Sequence, residues 1–145
     1  MDAAAGSYLV IGVEGEEFGL EVERVRTVVE YRDPAPVPGR PAPFLGALNH
    51  HGELLPVVAL ASLLRRKPRL DPLRSVIVVV GWQDAILGLL VERTHGLLTP
   101  LERMRLSHVL GRWDGPYLRH TLETEGRRIH VLDLDALLSE LARRL

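Results

Sequence analysis

The chain has 145 residues, 46% of them hydrophobic, with a formal net charge of -1 and no cysteine. That length and apolar content suit one compact folded domain and argue against disorder. The near-neutral charge excludes a global field for nucleic acid or anionic lipid, and the missing cysteines exclude disulfides and thiolate metal sites.

Residues 1–6 read as a tail. Residues 1–18 lack the basic start and long apolar run of a signal peptide. The longest apolar stretches are broken well short of the ~20 residues a membrane span requires. The expectation is a soluble, cytoplasmic protein with no direct membrane insertion. Residues 7–13, SYLVIGV, predict a strand. The turn Glu14-Gly15-Glu16 returns the chain into a second strand at 17–20. Residues 21–25 predict a short helical turn and 26–31 a third strand. Residues 32–43, RDPAPVPGRPAP, contain five of the ten prolines, so they form neither helix nor central strand but a stiff extended connection.

Strands at 47–49 and 54–58 flank a tight turn at His51-Gly52, and 59–64 is short and helical in character. Residues 65–72, RRKPRLDP, are a polar loop. The nearly continuous apolar run 75–81 predicts a strand buried on both faces, with Asp84 turning it into a return strand at 85–91. A short helix is expected within 99–113. Residues 117–123 and 127–132 form a last hairpin around Gly126. Asp133 predicts the N-cap of a helix over 134–144, whose Leu134, Leu137, Leu138, Leu141 and Leu145 follow helical spacing.

The chain repeats itself. Superposing Gly19 on Gly88 lays GLEVERV on GLLVERT, and superposing Gly52 on Gly126 brings Leu60 onto Leu134. One small β unit built twice implies a mainly β fold of two small barrels with one topology. Neither half is large enough to carry a strong core alone, so the two pack together and share apolar side chains. Residues 7–145 therefore read as one domain of two similar β-barrel subdomains, with short helices and a C-terminal helix. Gly19, Gly46, Gly52, Pro56, Gly88 and Gly126 are read as structural turn positions.

Chemistry is scarce. His50 and His51 are adjacent and would point to opposite faces of a strand. His95, His108, His120 and His130 have no chelating spacing, so no metal is expected. No nucleophile elbow, phosphate loop or dinucleotide fingerprint is present. The basic run Arg65-Arg66-Lys67-Arg69 lacks interleaved aromatics and reads as a solvated loop, so no nucleic acid is expected. No cofactor and no enzymatic activity are expected. The profile is that of an interaction module.

The stretch GALNHHGELLPVVAL resembles the CheW-like adaptor domain of bacterial chemosensory systems, through Gly46, Asn49, Gly52, Pro56, Val57 and Leu60. Phe18-Gly19, Val22, Val25, Val28, Pro38 and the Gly88–Glu92 strand are similar to further family features. The resemblance covers residues 7–138. It implies two intertwined five-stranded β-barrels around a shared apolar core. It also implies a noncatalytic scaffold that couples the cytoplasmic tips of chemoreceptors to the regulatory domain of a CheA-type histidine kinase. A small-molecule-binding sensor domain of the same double-barrel fold is the alternative.

The chain departs from the family pattern at Thr27, His51, Ala59, Glu92-Arg93-Thr94 and His120. His51 stands where the family has a turn arginine, which exchanges a permanently charged fork for a pH-sensitive donor. The partner-binding residues expected are Thr27, Val28, Leu45, Leu48, Asn49, His51, Glu92, Thr94 and Leu97. Of these, Val28, Leu45, Leu48 and Leu97 are the apolar anchors.

Overall fold

The computed structural model describes residues 6–39, 42–99, 117–124 and 126–143. In chain order these form β1 (Tyr8–Val13), β2 (Glu16–Glu21), a 3-10 turn (Val22–Arg24), β3 (Val25–Glu30), β4 (Phe44–His50), β5 (Glu53–Ala59) and α1 (Leu60–Leu63). Then come β6 (Val76–Trp82), β7 (Ala85–Val91), β8 (Arg93–Leu98), β9 (Leu118–Thr124), β10 (Arg127–Leu132) and α2 (Leu134–Arg143). Residues 1–5 of the tail expected at 1–6, residues 100–113 of the stretch 99–113 expected to hold a helix, and the helix end at Arg144 and Leu145 lie outside the described residues. The strand β8 was not expected.

One sheet has the order β8-β1-β2-β10-β9 and the other β3-β6-β7-β5-β4. Each sheet joins a hairpin from one half of the chain to three strands from the other, so the halves are interlocked. The ladders reproduce the sequence repeat. Gly19 faces Val10 and Val131, and Gly88 faces Val79 and Val57. Superposing Gly19 on Gly88 and Gly52 on Gly126 therefore places each ladder on its counterpart. The irregularities match too. β3 skips Arg26 against β6, and β8 skips His95 against β1. The two skipped side chains lie over equivalent glycines, Arg26 over Gly81 and His95 over Gly12.

Three apolar clusters explain why the central strands are buried on both faces. Leu9, Ile11, Val13, Phe18 and Leu20 meet Val58, Val78, Val80, Leu87 and Leu89 between the sheets, with Leu134, Leu137, Leu138 and Leu141 of α2. Each sheet also curls around a cluster of its own: Tyr8, Val10, Leu98, Ile129 and Val131 in one, Leu48, Leu55, Val57, Ile77, Val79 and Ile86 in the other. Each such side chain contributes roughly 1.5–3 kcal/mol by leaving water.

Two expectations are corrected. The sheets do not close into barrels: β3 and β4, and β8 and β9, remain edge strands. Among the described residues between β3 and β4 a single bridge forms, Ala35 to Ala47. Pro34, Pro36 and Pro38 around it have no N–H to extend a ladder. Gly19, Gly88 and Pro56 are also not turn residues; they lie inside β2, β7 and β5. Gly19 and Gly88 face the middle of each curled sheet; at Gly88 the Ile77 side chain fills the space a Cβ would need, whereas at Gly19 a Cβ would meet Ile129 and Tyr8 at ordinary contact distance. Gly46 lies at a bulge in β4 at φ 149°, and a Cβ there would meet Ala35 O at 2.3 Å. Gly52 and Gly126 do form turns, at φ 85° and 79°. Residues Glu14-Gly15 and His51-Gly52 both have positive φ, as two-residue hairpin turns of the I′ type require.

Candidate docking edges

The sheet edges β3 and β8 end equivalent ladders and are the most exposed strands of their sheets among the described residues. Val28 pairs with Val78 and Leu97 with Leu9, which makes Val28 and Leu97 counterparts. Both are apolar, and they keep 38% and 57% of their surface in water. Thr27 beside Val28, and Thr94 on β8, are exposed as well. Among the described residues each edge has no strand paired on its outer side and carries one exposed apolar side chain, the elements of strand-edge recognition. Val28 and Leu97 lie on edge strands of different sheets.

The β4–β5 hairpin carries the next group. Asn49 is exposed, and its Oδ1 accepts a hydrogen bond from the Gly52 N–H at 2.9 Å, which closes the turn. His51 is exposed at φ 51°, its ring edge-on to His50 at 4.4 Å. An open groove of about 500 Å³ runs between this turn and the end of β3, lined by Val29, Glu30, Arg32, Asn49, His50 and His51. The Arg32 guanidinium donates to Asn49 O at 3.2 Å. Sequence reasoning missed Glu30 and Arg32, which become neighbours of His51 only through the approach of the β3 end to the β4–β5 turn. Leu45 on β4 is 44% exposed, and Leu54 on β5 is 65% exposed. Leu54 also went unnoticed, although it follows the turn directly.

Leu48 is not a surface anchor. It is 8% exposed and packs in the cluster of its own sheet, because β4 turns that face inward. Glu92 also has an internal task. Its Oε2 accepts from the Glu14 N–H at 2.8 Å, while the Glu92 carbonyl accepts from Ser75 Oγ at 3.1 Å. Glu92 thus ties the β1–β2 turn to the end of β7.

Ala59 and Asp133 occupy equivalent positions ahead of α1 and α2. The Asp133 carboxylate accepts from the Ala136 N–H at 3.1 Å and caps a ten-residue helix. Ala59 has no such group, and α1 runs for four residues. His120 is half-buried on β9, at the counterpart of Gly46.

Inside, His130 is buried, with Nδ1 2.8 Å from Thr121 Oγ1 and its ring 5.4 Å from Phe18. Burial lowers its pKa below the usual imidazole value; Glu16 opposes this and Arg66 and Arg128 reinforce it. The cavity beside Val13, Ala59, Ala61, Leu90 and Val91, lined also by Glu14, Arg69 and Glu92, has about 20 Å³, room for one water. Among the described residues no three His, Asp or Glu side chains are grouped to hold a metal ion. Among the same residues no helix is long and apolar enough to cross a membrane.

With the two edges and the hairpin groove in place, comparison with known proteins is decisive. Residues 7–142 match the sequence profile of the CheW-like domain. The chain belongs to the CheW-like domain family. The chemotaxis protein CheW of Rhizobium meliloti (strain 1021) is 29% identical over 127 residues, spanning 86% of this chain and 82% of the relative. The chemotaxis protein CheW of Thermotoga maritima is 29% identical over 130 residues, spanning 89% and 85%. The crystal structure of scaffolding protein TtCheW from Thermoanaerobacter tengcongensis superposes with a TM-score of 0.74 at 19% identity, covering 87% of each chain, which shows a shared fold. The interlocked pair of sheets is thus the CheW-like architecture.

Proposed function

We propose that this CheW-like domain is a noncatalytic adaptor of a bacterial chemosensory pathway. In this reading it couples the cytoplasmic tips of chemoreceptors to the regulatory domain of a CheA-type histidine kinase in the cytoplasm. The observation that carries it is the family match over residues 7–142, together with relatives that are chemotaxis proteins and align over most of their own length. The paired edges support it. An adaptor has to hold two partners at once, and β3 with Val28 and β8 with Leu97 are exposed edges of one kind on two different sheets. The groove beside His51 adds polar and cationic groups next to β3. Apolar anchors at such edges would supply the affinity and the polar rim the selectivity.

The test is co-elution of the purified protein with the CheA regulatory domain of the same cell, and separately with a receptor cytoplasmic fragment. A complex with each is expected, with Val28→Asp and Leu97→Asp each weakening one of them. Absence of a complex with either partner, from a protein that is folded by circular dichroism, overturns the reading.

A further inference from the structure

The link between the halves, residues 65–74, has no part in the edges described above. It carries five cations, Arg65, Arg66, Lys67, Arg69 and Arg74, against one acid, Asp71, in a chain whose net charge is -1. Arg65, Lys67 and Arg69 are exposed. Leu73 keeps 94% of its surface in water and Leu70 keeps 49%.

An exposed leucine alone means little, because scattered ones are ordinary. Here the backbone that presents it is held. The Asp71 carbonyl accepts from the Arg74 N–H at 3.0 Å and from the Ser75 N–H at 2.7 Å. The Asp71 N–H donates to Ser75 Oγ at 2.9 Å, and the Asp71 carboxylate accepts from the Leu73 N–H at 3.0 Å. Pro68 and Pro72 fix φ on either side. Upstream, Arg66 pairs with Glu16 at 2.7 Å, and the Lys67 N–H donates to Glu14 Oε2 at 2.9 Å. The link is thereby pinned to the β1–β2 turn. Two leucines are set among cations on a preorganised turn, which lowers the ordering cost of binding.

We propose that residues 65–74 form a third docking surface, for an acidic segment of a protein partner. Leu73 and Leu70 meet its apolar side, and Arg65, Lys67 and Arg69 meet its carboxylates. Charge selects the acidic class. A lipid surface is the poorer occupant, since a fluid bilayer gains nothing from a fixed turn. A nucleic acid is poorer still, because the link has no aromatic on which a base would stack. The surface is independent of the edges β3 and β8, and it does not require the adaptor reading.

The test uses the full chain and a fluorescent amphipathic Glu/Leu peptide, with a Lys/Leu peptide, phosphatidylserine vesicles and duplex DNA as the other arms. Binding to the Glu/Leu peptide is expected, weakening with added salt. Leu73→Asp, and separately the triple change Arg65→Glu, Lys67→Glu and Arg69→Glu, should each reduce it roughly tenfold or more. Neither variant touches the core, and both should retain co-elution with the kinase regulatory domain, so a failure here is distinct from a failure of the adaptor reading. No binding to the Glu/Leu peptide, binding indifferent to Leu73→Asp, or a preference for the Lys/Leu peptide, vesicles or DNA overturns the proposal.

Discussion

Alanine at Gly88 would place its Cβ 2.7 Å from Ile77 Cγ2 and 3.5 Å from Leu55 Cδ2. Both neighbours are fully buried, so neither can swing into solvent. At the equivalent Gly19 the nearest atoms are Ile129 Cγ2 at 3.4 Å and Tyr8 Cβ at 3.5 Å, ordinary contact distances. The difference arises from the counterparts Ile77 and Tyr8. Isoleucine branches at Cβ and pushes a methyl over the glycine, whereas tyrosine does not. Overpacking a core by one methyl costs about 1–3 kcal/mol. Replacing a strand glycine returns about 0.5–1 kcal/mol through the unfolded state. Gly88→Ala should therefore destabilise by about 1–2 kcal/mol, and Gly19→Ala should be neutral or slightly stabilising.

Urea unfolding with both variants measures this through the midpoint, provided the slope stays constant. Ile77→Leu moves the branch from Cβ to Cγ at conserved volume, which alone costs less than about 1.5 kcal/mol. In the double variant Gly88→Ala/Ile77→Leu the two changes should be less than additive. Equal stability of the two glycine variants, or strict additivity in the double variant, would refute the account of why these positions are glycine.

The remaining predictions concern the helix cap, the buried histidine and the apolar edges. Asp133→Ala removes the N-cap of α2 and should cost about 1 kcal/mol, read as a lower melting temperature. His130 has its folded pKa lowered from 6.5, so the unfolded state binds the proton more readily. Its contribution is complete above about pH 6.5 and is lost as pH falls toward the folded value, at no more than ~1.4 kcal/mol per pH unit. His130→Gln should flatten urea-measured stability between about pH 7 and 5; an unchanged pH slope would count against the buried neutral imidazole. Val28→Asp, Leu45→Asp and Leu97→Asp should change stability by less than ~0.5 kcal/mol. Leu48→Asp buries an unpaired carboxylate and should unfold the protein; a folded Leu48→Asp in circular dichroism would place Leu48 outside the core.

The sequence shows the hairpins clearly because their causes are local. Gly15 and Gly52 supply the positive φ of the two turns, and the runs Tyr8–Val13 and Val76–Trp82 are apolar enough for strands buried on both faces. The Asp133 cap is local as well. What stays hidden is whatever depends on pairing across the halves. The repeat GLEVERV on GLLVERT stops at Val25 and Thr94, and the continuation Arg26-Thr27-Val28 against His95-Gly96-Leu97 shares no residue. The strand β8 escapes notice because Gly96, at φ 86°, and the exposed 94–97 stretch break any apolar alternation. Only the matching bulges against β1 and β6 reveal that Val28 and Leu97 are the same position twice. Leu48 was misread for the same reason: when both faces of a sheet are buried, period-two alternation no longer separates inside from outside.

This hidden cross-pairing has a consequence for docking. β3 belongs to the first half but pairs with β6 of the second, and β8 belongs to the second half but pairs with β1 of the first. Each exposed edge is therefore held by a hairpin from the other half. A change in one hairpin acts on the edge contributed by the opposite half, and neither edge can form from one half alone. Two exposed edges, each contributed by one half and held by the other, follow from the interlocked pairing, and the proposed adaptor role would use them as a matched pair.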